Sequence, residues 1–407
     1  MTLSADPPHV TSTTSSRGNP ALDGAVTPVT MTAIDAPVTP DVVGFRRLHP
    51  RRLGRRGRIV VAVLMVLTLV VAVLAGYGVW AKWRLDQALN GVRSEPVFAS
   101  IDPATRPAPS ADGGMTFLLA GSDTLQEGPT TGNEASAFLD SPSAEASPGQ
   151  AGPGRADVIM IVHVNADRSK ASLVSIPRDA YVTIPAYDDS AGVAMPASAR
   201  KINASFALGG GSLLVRTVEG VTGLRVDHFA YIDYLGIIRL IDALGGVTVD
   251  NPYGTSDVYG NPEWDFPASP ELELDGFHAR VWVSQRKNLP RGDLDRARNS
   301  RELFRAIGSK LASPAVLSNP ARLQSVIDLT TEVATVDETL DPGTMKGLAL
   351  SMRGLDLAAV PMRTAPTLGK STKNYEVVYI LDLVNGKCLW SAVGSSDLAS
   401  VVRCSQA

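Results

Sequence analysis

Apolar residues recur along this chain in three patterns, and each pattern predicts a different kind of element. Residues 59–80 form an uncharged run of 22 residues (IVVAVLMVLTLVVAVLAGYGVW). At about 1.5 Å per residue such a helix crosses the roughly 30 Å hydrocarbon core of a bilayer. Further on, short runs rich in β-branched residues predict strands over 115–120, 158–164, 171–176, 229–233, 247–250, 357–361 and 377–381. Apolar positions three and four apart predict helices over 212–222, 234–244, 274–285, 296–311, 320–332, 342–352 and 383–393. The order is not a strict βα repeat, so antiparallel pairs are expected. The predicted fold class is α/β, a layered α/β/α domain around a central mixed sheet, preceded by one transmembrane helix.

Composition shifts set the domain boundaries. Residues 1–45, rich in Pro, Thr, Ser and Ala, cannot bury enough surface to offset ordering and read as a disordered cytoplasmic tail. A basic segment (46–58) and the span (59–80) follow, then a proline-containing tether (81–114). The folded domain occupies 115–407, large enough for a substantial core. A Gly, Ser and Pro-rich stretch at 126–154 interrupts it as a mobile insertion.

The 38 basic and 41 acidic residues leave a net charge of −3, which gives no reason to expect a nucleic-acid partner. Their distribution says more. Seven arginines, from Arg46 to Arg58, precede the span without one acid among them, against Lys82, Arg84 and Arg93 after it. The positive-inside rule then places the N-terminus in the cytoplasm and the domain outside the cell membrane. Cys388 and Cys404 would both lie in that oxidising compartment, which permits a disulfide, although a separation of sixteen positions does not establish that they meet.

Candidate chemistry gathers where strands end. Asp123, Arg155, Asp157, Arg178 and Asp179 follow or precede predicted strands, and Arg286, Lys287, Arg291, Asp293, Asp295, Arg296 and Arg298 form a second group. Carboxylates can hold a hard divalent cation and guanidinium forks bind phosphate oxygens, so the two groups read as a metal pole and an anion clamp. Ordinary ion pairs, Arg178 with neighbours of Asp179 and Asp293 with Arg296, are the competing reading. Other motifs are weaker. There is no G-x-S-x-G, and the Gly-Lys-Ser at 369–371 has Thr364 where a P-loop needs glycine. His163 and His228 read as structural residues. The run Gly209 to Gly211 reads as a turn or as amides facing phosphate. The apolar face with Leu235, Ile238 and Leu244 reads as core or as the lining of a lipid groove.

Longer motifs carry a resemblance. The segments RADVIMIVHVNADRSKASLVSIPRDAYVTIP, KINASFALGGGSLLVRTVEG and LDGFHARVWVSQRKNLPRGDLDR are similar to those of the LytR-CpsA-Psr family of bacterial cell-envelope proteins. That resemblance implies a phosphotransferase moving a glycopolymer from a polyprenyl-pyrophosphate carrier to peptidoglycan through a phosphodiester, with Mg²⁺ as cofactor. It also implies a single-pass anchor in the lipid bilayer. Position by position, Asp123 and Asp157 match magnesium-associated acids, and Arg178, Lys201, Arg286 and Arg296 match pyrophosphate-binding residues. Asp293, with Arg178 and Arg296, matches the catalytic set. The chain departs from the pattern at Leu125 and Ser284, where arginines are common, and at Asn299, Ser300 and Arg301, where Arg-Gln-Gln is usual. Each lost charge-assisted fork costs about 1.5–3 kcal/mol of binding, so a weakly active or non-catalytic polyprenyl-phosphate-binding homologue is the alternative. A membrane-bound transcriptional regulator is a second alternative, disfavoured because the tail carries no recognisable helix-turn-helix.

Overall fold

The computed structural model describes residues 90–122, 154–255, 264–285, 289–352 and 354–405, together with positions 68, 75–80, 82–84, 86 and 87. The chain divides into two units, Met1–Val66 and Leu67–Ala407, and all described residues belong to the second. No helix among them is long and apolar enough to cross a membrane. The expected tail and basic segment, most of the 59–80 span, and the 126–154 insertion apart from Gly154 lie outside the described residues.

In chain order the elements are β1 (Arg93–Glu95), β2 (Met115–Ser122), β3 (Ala156–Val164), β4 (Ala171–Ser175), β5 (Tyr181–Ile184), β6 (Tyr187–Asp188), β7 (Ala194–Met195), β8 (Ser198–Lys201), α1 (Asn203–Thr222), β9 (His228–Asp233) and α2 (Tyr234–Leu244). There follow β10 (Val247–Asn251), β11 (Ser269–Leu274), α3 (Gly276–Ser284), α4 (Asp293–Leu311), α5 (Pro314–Leu317), α6 (Pro320–Val333), β12 (Ala334–Asp337) and α7 (Pro342–Ser351). The chain ends with β13 (Met362–Thr364), β14 (Thr367–Lys373), β15 (Glu376–Leu381), α8 (Leu383–Gly394) and α9 (Leu398–Cys404).

The central sheet has the order β1-β12-β9-β2-β3-β4-β13. It is mixed, as expected: β2 pairs in parallel with β9 and antiparallel with β3, and β4 pairs antiparallel with β3 and in parallel with β13. β9, β2, β4 and β13 therefore point the same way, and their C-terminal ends share an edge with the start of β3. Strand alternation sends Leu118, Ile159, Ile161 and Val174 to one face, where α1, α8 and α9 pack through Leu214, Val218, Leu389 and Val401. Phe117, Leu119, Met160, Val162 and Leu173 go to the other face, against Met352, Leu355 and Val360. These are the three expected layers.

Several expectations are corrected, and two left open are settled. The segment read as a tether is part of the domain: β1 pairs in parallel with β12, and Val97 and Ile101 lie in the core. Prolines concealed this, because a short edge strand and isolated apolar residues leave no periodicity. The strand expected over 357–361 is a 3₁₀ turn (Leu357–Ala359), with the strand displaced to β13. The helix expected from 212 begins at Asn203 and runs through a break at Gly209 and Gly210, the latter at φ +61°. There Gly211 meets Phe229 and Val97 so closely that a Cβ would lie 2.9 and 3.0 Å from them. Leu244, on the face considered for a lipid lining, is fully buried against Val316 and Val326. Cys388 and Cys404 form a disulfide between α8 and α9, with Cα atoms 5.8 Å apart.

Two polar clusters hold the N-terminal segment down. Arg106 donates from Nη2 and Nε to Glu219 Oε1 of α1 at 2.7 and 3.1 Å, in a pair whose side chains are only 9% and 4% exposed. Glu219 also accepts from the Val226 amide at 2.9 Å. Asp112 accepts from the Ser396 hydroxyl and from the Gly114 amide, and faces buried His163 Nε2 at 3.2 Å. Burial alone would raise the Asp112 carboxyl, but bonds from Ser396, Gly114, His163 and Ser110 outweigh it and bring it down to about 2. His163 and His228 are both buried with carboxylate and threonine partners, Asp112 and Thr116 for the first, Asp337 and Thr339 for the second.

Glu219→Ala leaves Arg106 buried without its carboxylate and is expected to cost about 3–5 kcal/mol in urea unfolding. Because the folded-state Asp112 pKa lies below its unfolded value, its contribution is present above about pH 4 and is lost as pH falls through 2. The melting-temperature gap between the unaltered chain and Asp112→Asn should therefore be constant above pH 4 and close on acidification.

Candidate active site

The site lies at the sheet edge where β2, β9, β4 and β13 end, the usual position for ligands in open α/β sheets. A β-bulge between Gly121 and Ser122 ends the β2–β3 ladder at this edge. Just beyond β4, Pro177 fixes φ at the start of a turn closed by the Ala180 amide on the Pro177 carbonyl at 2.9 Å. The amides of Asn203 and Tyr379 then bond the carbonyls of Arg178 and Asp179, at 3.2 and 2.9 Å. Backbone bonds from three elements thus set where Arg178 and Asp179 stand.

α4 brings the other cation. It begins after Gly292, whose φ of +58° suits glycine, and its first turn is clamped by Asp295. Asp295 is fully buried and accepts from the Arg291 amide at 2.8 Å and from the Arg291 guanidinium at 2.6 and 2.9 Å. The hydrogen bond to Asp295 raises the Arg291 pKa against its partial burial. These two residues of the predicted constellation therefore build the helix start. One turn on, Arg296 donates from Nε to the Val283 carbonyl at 3.2 Å.

Asp157, at the start of β3, joins the two halves. Its Oδ1 accepts from Arg178 Nη1, and its Oδ2 lies 3.3 Å from Arg296 Nη2. Asp157 and Arg296 are each 7% exposed and Arg178 15%. The network continues outward through Arg178 Nε, 3.7 Å from Asp179 Oδ2, and Lys201 Nζ, 3.2 Å from Asp179 Oδ1 and 3.5 Å from Glu376 Oε2. Cations and anions alternate along this chain from Arg296 to Glu376. At its buried end two guanidinium groups share the Asp157 carboxylate in a poorly solvated place, where charge interactions are strengthened. Arg178 Nε is buried and makes no hydrogen bond, since 3.7 Å is too long for one. A small cleft of about 30 Å³ opens here, lined by Asp157, Ser175, Pro177, Arg178, Arg296 and Ser300 among others.

Of the residues singled out in the sequence, Asp157, Arg178 and Arg296 come together, and Lys201 is linked to them through Asp179. Asp123 and Arg286 lie outside the described residues, as does the Asp293 side chain at the first position of α4. Among the described residues, no three acidic, His or Cys side chains converge as a metal site. Asp157 still suits Mg²⁺, which usually takes one or two carboxylates and completes its shell with water and substrate phosphate. The expected ion pair of Arg296 with Asp293 falls on a side chain outside the described residues, and Arg296 pairs at longer sequence range with Asp157. Sequence reading missed Glu376, Ser175 and Thr364: the first reaches the site from a hairpin about 200 positions from Arg178, and the hydroxyls are ordinary strand residues until the sheet is assembled. Arg301 reaches both hydroxyls, donating from Nη1 to Ser175 Oγ at 2.8 Å and to Thr364 Oγ1.

Comparison with known proteins places the chain in a family. Residues 87–388 match the LytR_cpsA_psr family. A probable cell wall biosynthesis protein, LcpB of Corynebacterium glutamicum, is 33% identical over 84% of this chain and 70% of its own. A polyisoprenyl-teichoic acid–peptidoglycan teichoic acid transferase, TagU of Enterococcus faecalis, is 28% identical over 50% of this chain and 61% of its own. The crystal structure of B. subtilis TagV has the same fold, with a TM-score of 0.52 at 20% identity, covering 70% of this chain and 97% of that one. With a family match over most of its length and a close relative across 84% of it, this chain belongs to the LytR-CpsA-Psr family.

Proposed function

We propose that this protein is a membrane-anchored phosphotransferase that moves a glycopolymer from a polyprenyl-pyrophosphate carrier to peptidoglycan. The observation that carries this reading is the buried pair of guanidinium groups, Arg178 and Arg296, sharing Asp157 at the C-terminal edge of the sheet. Positive charge held in place before the ligand arrives stabilises charge that develops on a transferring phosphoryl group without reorganisation at the moment of reaction. The relatives' names supply the substrate class: one is a cell wall biosynthesis protein and another transfers teichoic acid to peptidoglycan.

In the proposed reaction a peptidoglycan hydroxyl oxygen attacks the phosphorus nearest the sugar. A new P–O bond forms, the bond from that same phosphorus to the bridging oxygen breaks, and polyprenyl phosphate leaves with the electron pair on that oxygen. The hydroxyl proton passes to a carboxylate, a role we assign to Asp293. Arg178 and Arg296 hold the diphosphate oxygens, with Lys201 and Arg286 completing the cationic wall. Mg²⁺, held by Asp157 and Asp123, would neutralise charge on the phosphates when bound. The run 59–80 anchors the protein with its domain outside. Ion pairs from Arg84 to Asp328 of α6 and from Asp86 to Lys346 of α7 fasten the segment after that run to the domain.

The test is the full-length protein in detergent with a polyprenyl-pyrophosphate-linked oligosaccharide, peptidoglycan and Mg²⁺, scored for phosphodiester-linked product. Arg178→Ala and Arg296→Ala should each lower the rate by about 10²–10³-fold, and EDTA should suppress it. Undiminished product from both variants, or carrier binding without any product across several divalent metals, rejects the reading.

A further inference from the structure

Arg301 stands where the family pattern has glutamine, and its surroundings give it a role. It bridges the two strands at the end of the sheet: Ser175 of β4 and Thr364 of β13 are direct partners in the parallel ladder, and Arg301 Nη1 donates to both hydroxyl oxygens. A guanidinium group only donates, whereas a hydroxyl has one proton and two lone pairs. Each hydroxyl is thus committed as an acceptor toward Arg301, and its proton must point elsewhere. For Ser175 the protein alternatives are the Arg363 carbonyl at 3.4 Å and Thr364 Oγ1 at 3.5 Å, both at the outer limit of a useful bond. Ser175 also lines the cleft beside Asp157, Arg178 and Arg296.

The electrostatic setting points the same way. Arg298, Arg291 and Arg305 surround Arg301 but are matched by Asp250, Asp295 and Glu302. Among the described residues no carboxylate is within ion-pair distance of Arg301 or Arg363. Burial and these four arginines pull the Arg301 pKa down to about 10, so the cluster is crowded with like charge and favours an incoming anion.

We propose that Arg301 fixes the Ser175 hydroxyl as a hydrogen-bond donor to a phosphate oxygen of the diphosphate held by Arg178 and Arg296. Ser175 is then a ligand-binding residue and Arg301 its positioning residue. This inference rests on reading the site as a diphosphate site. It also accounts for a chain that lacks arginine at Asn299 yet keeps a cation on the same helix two positions later.

Calorimetric titration of the full-length protein in detergent with inorganic pyrophosphate tests the idea. Ser175→Ala and Arg301→Gln should each weaken binding about tenfold or more. The double variant should bind no worse than the weaker single variant, because the two act as one unit. Arg301→Lys, which keeps a donor, should restore part of the affinity. Arg301→Gln, whose shorter amide falls short of the two hydroxyls, should not lower the melting temperature, since it relieves like-charge crowding. Wild-type affinity in Ser175→Ala, or additive losses in the double variant, overturns the inference. If Arg178→Ala abolishes binding in that case, the diphosphate reading stands without it. If the unaltered protein does not bind pyrophosphate, both fall.

Discussion

Asp157 is the carboxylate on which the site depends. It sits at the first turn into β3, and its two oxygens face guanidinium groups that arrive from separate directions, Arg178 from the turn after β4 and Arg296 from the start of α4. Neither arginine would tolerate such burial unpaired, because a desolvated charge without a partner costs several kcal/mol. Sharing Asp157 holds the two guanidinium groups side by side in a place from which water is largely excluded, where their remaining N–H donors can meet a phosphate group. Moving Asp157 by one residue along β3 would turn it to the other face of the sheet and leave both arginines stranded.

Because the interaction spans three elements, every device that fixes their ends bears on it. The mixed sheet brings β4 and the start of β3 to one edge, Pro177 and the backbone bonds from Asn203 and Tyr379 set the turn, and Asp295 clamps the first turn of α4 through Arg291. The N-terminal segment contributes at a distance. Its short strand extends the sheet beyond β12, and Arg106 and Asp112 tie it to α1, β3 and the loop before α9. A segment that looks like a spacer in composition is thereby part of the frame.

Much of the fold was legible because its signals are local. Runs such as those of β2, β3 and β4 alternate between two apolar faces, and helices such as α2 and α6 carry periodicity close to their true ends. Signals failed where structure depends on a distant partner. β1 is three residues of Arg, Ser and Glu, which no propensity assigns to a strand; its partner β12 supplies the reason it is one. The missed position of β13 has the same origin, since Met362, Arg363 and Thr364 are extended only because β4 offers a parallel edge. For the site, long motifs singled out Asp157, Arg178 and Arg296 before any geometry was known, but the pairing of Arg296 with Asp157 joins distant parts of the chain and left no signal in local spacing.

The departures from the family pattern acquire physical meaning at this edge. Asn299 and Ser300 face inward on α4 where longer, more polar or charged side chains are usual, and Asn299 is almost fully buried. A guanidinium at Asn299 would have entered a cluster that already contains Arg291, Arg298, Arg301, Arg305 and Arg363. Placing the cation at Arg301 moves it about half a turn around the helix, to where two strand-end hydroxyls solvate it. That position trades direct reach for a charge relayed through Ser175. Substitutions that look like losses when motifs are aligned residue by residue can therefore conserve the charge of a site while changing the atom that presents it.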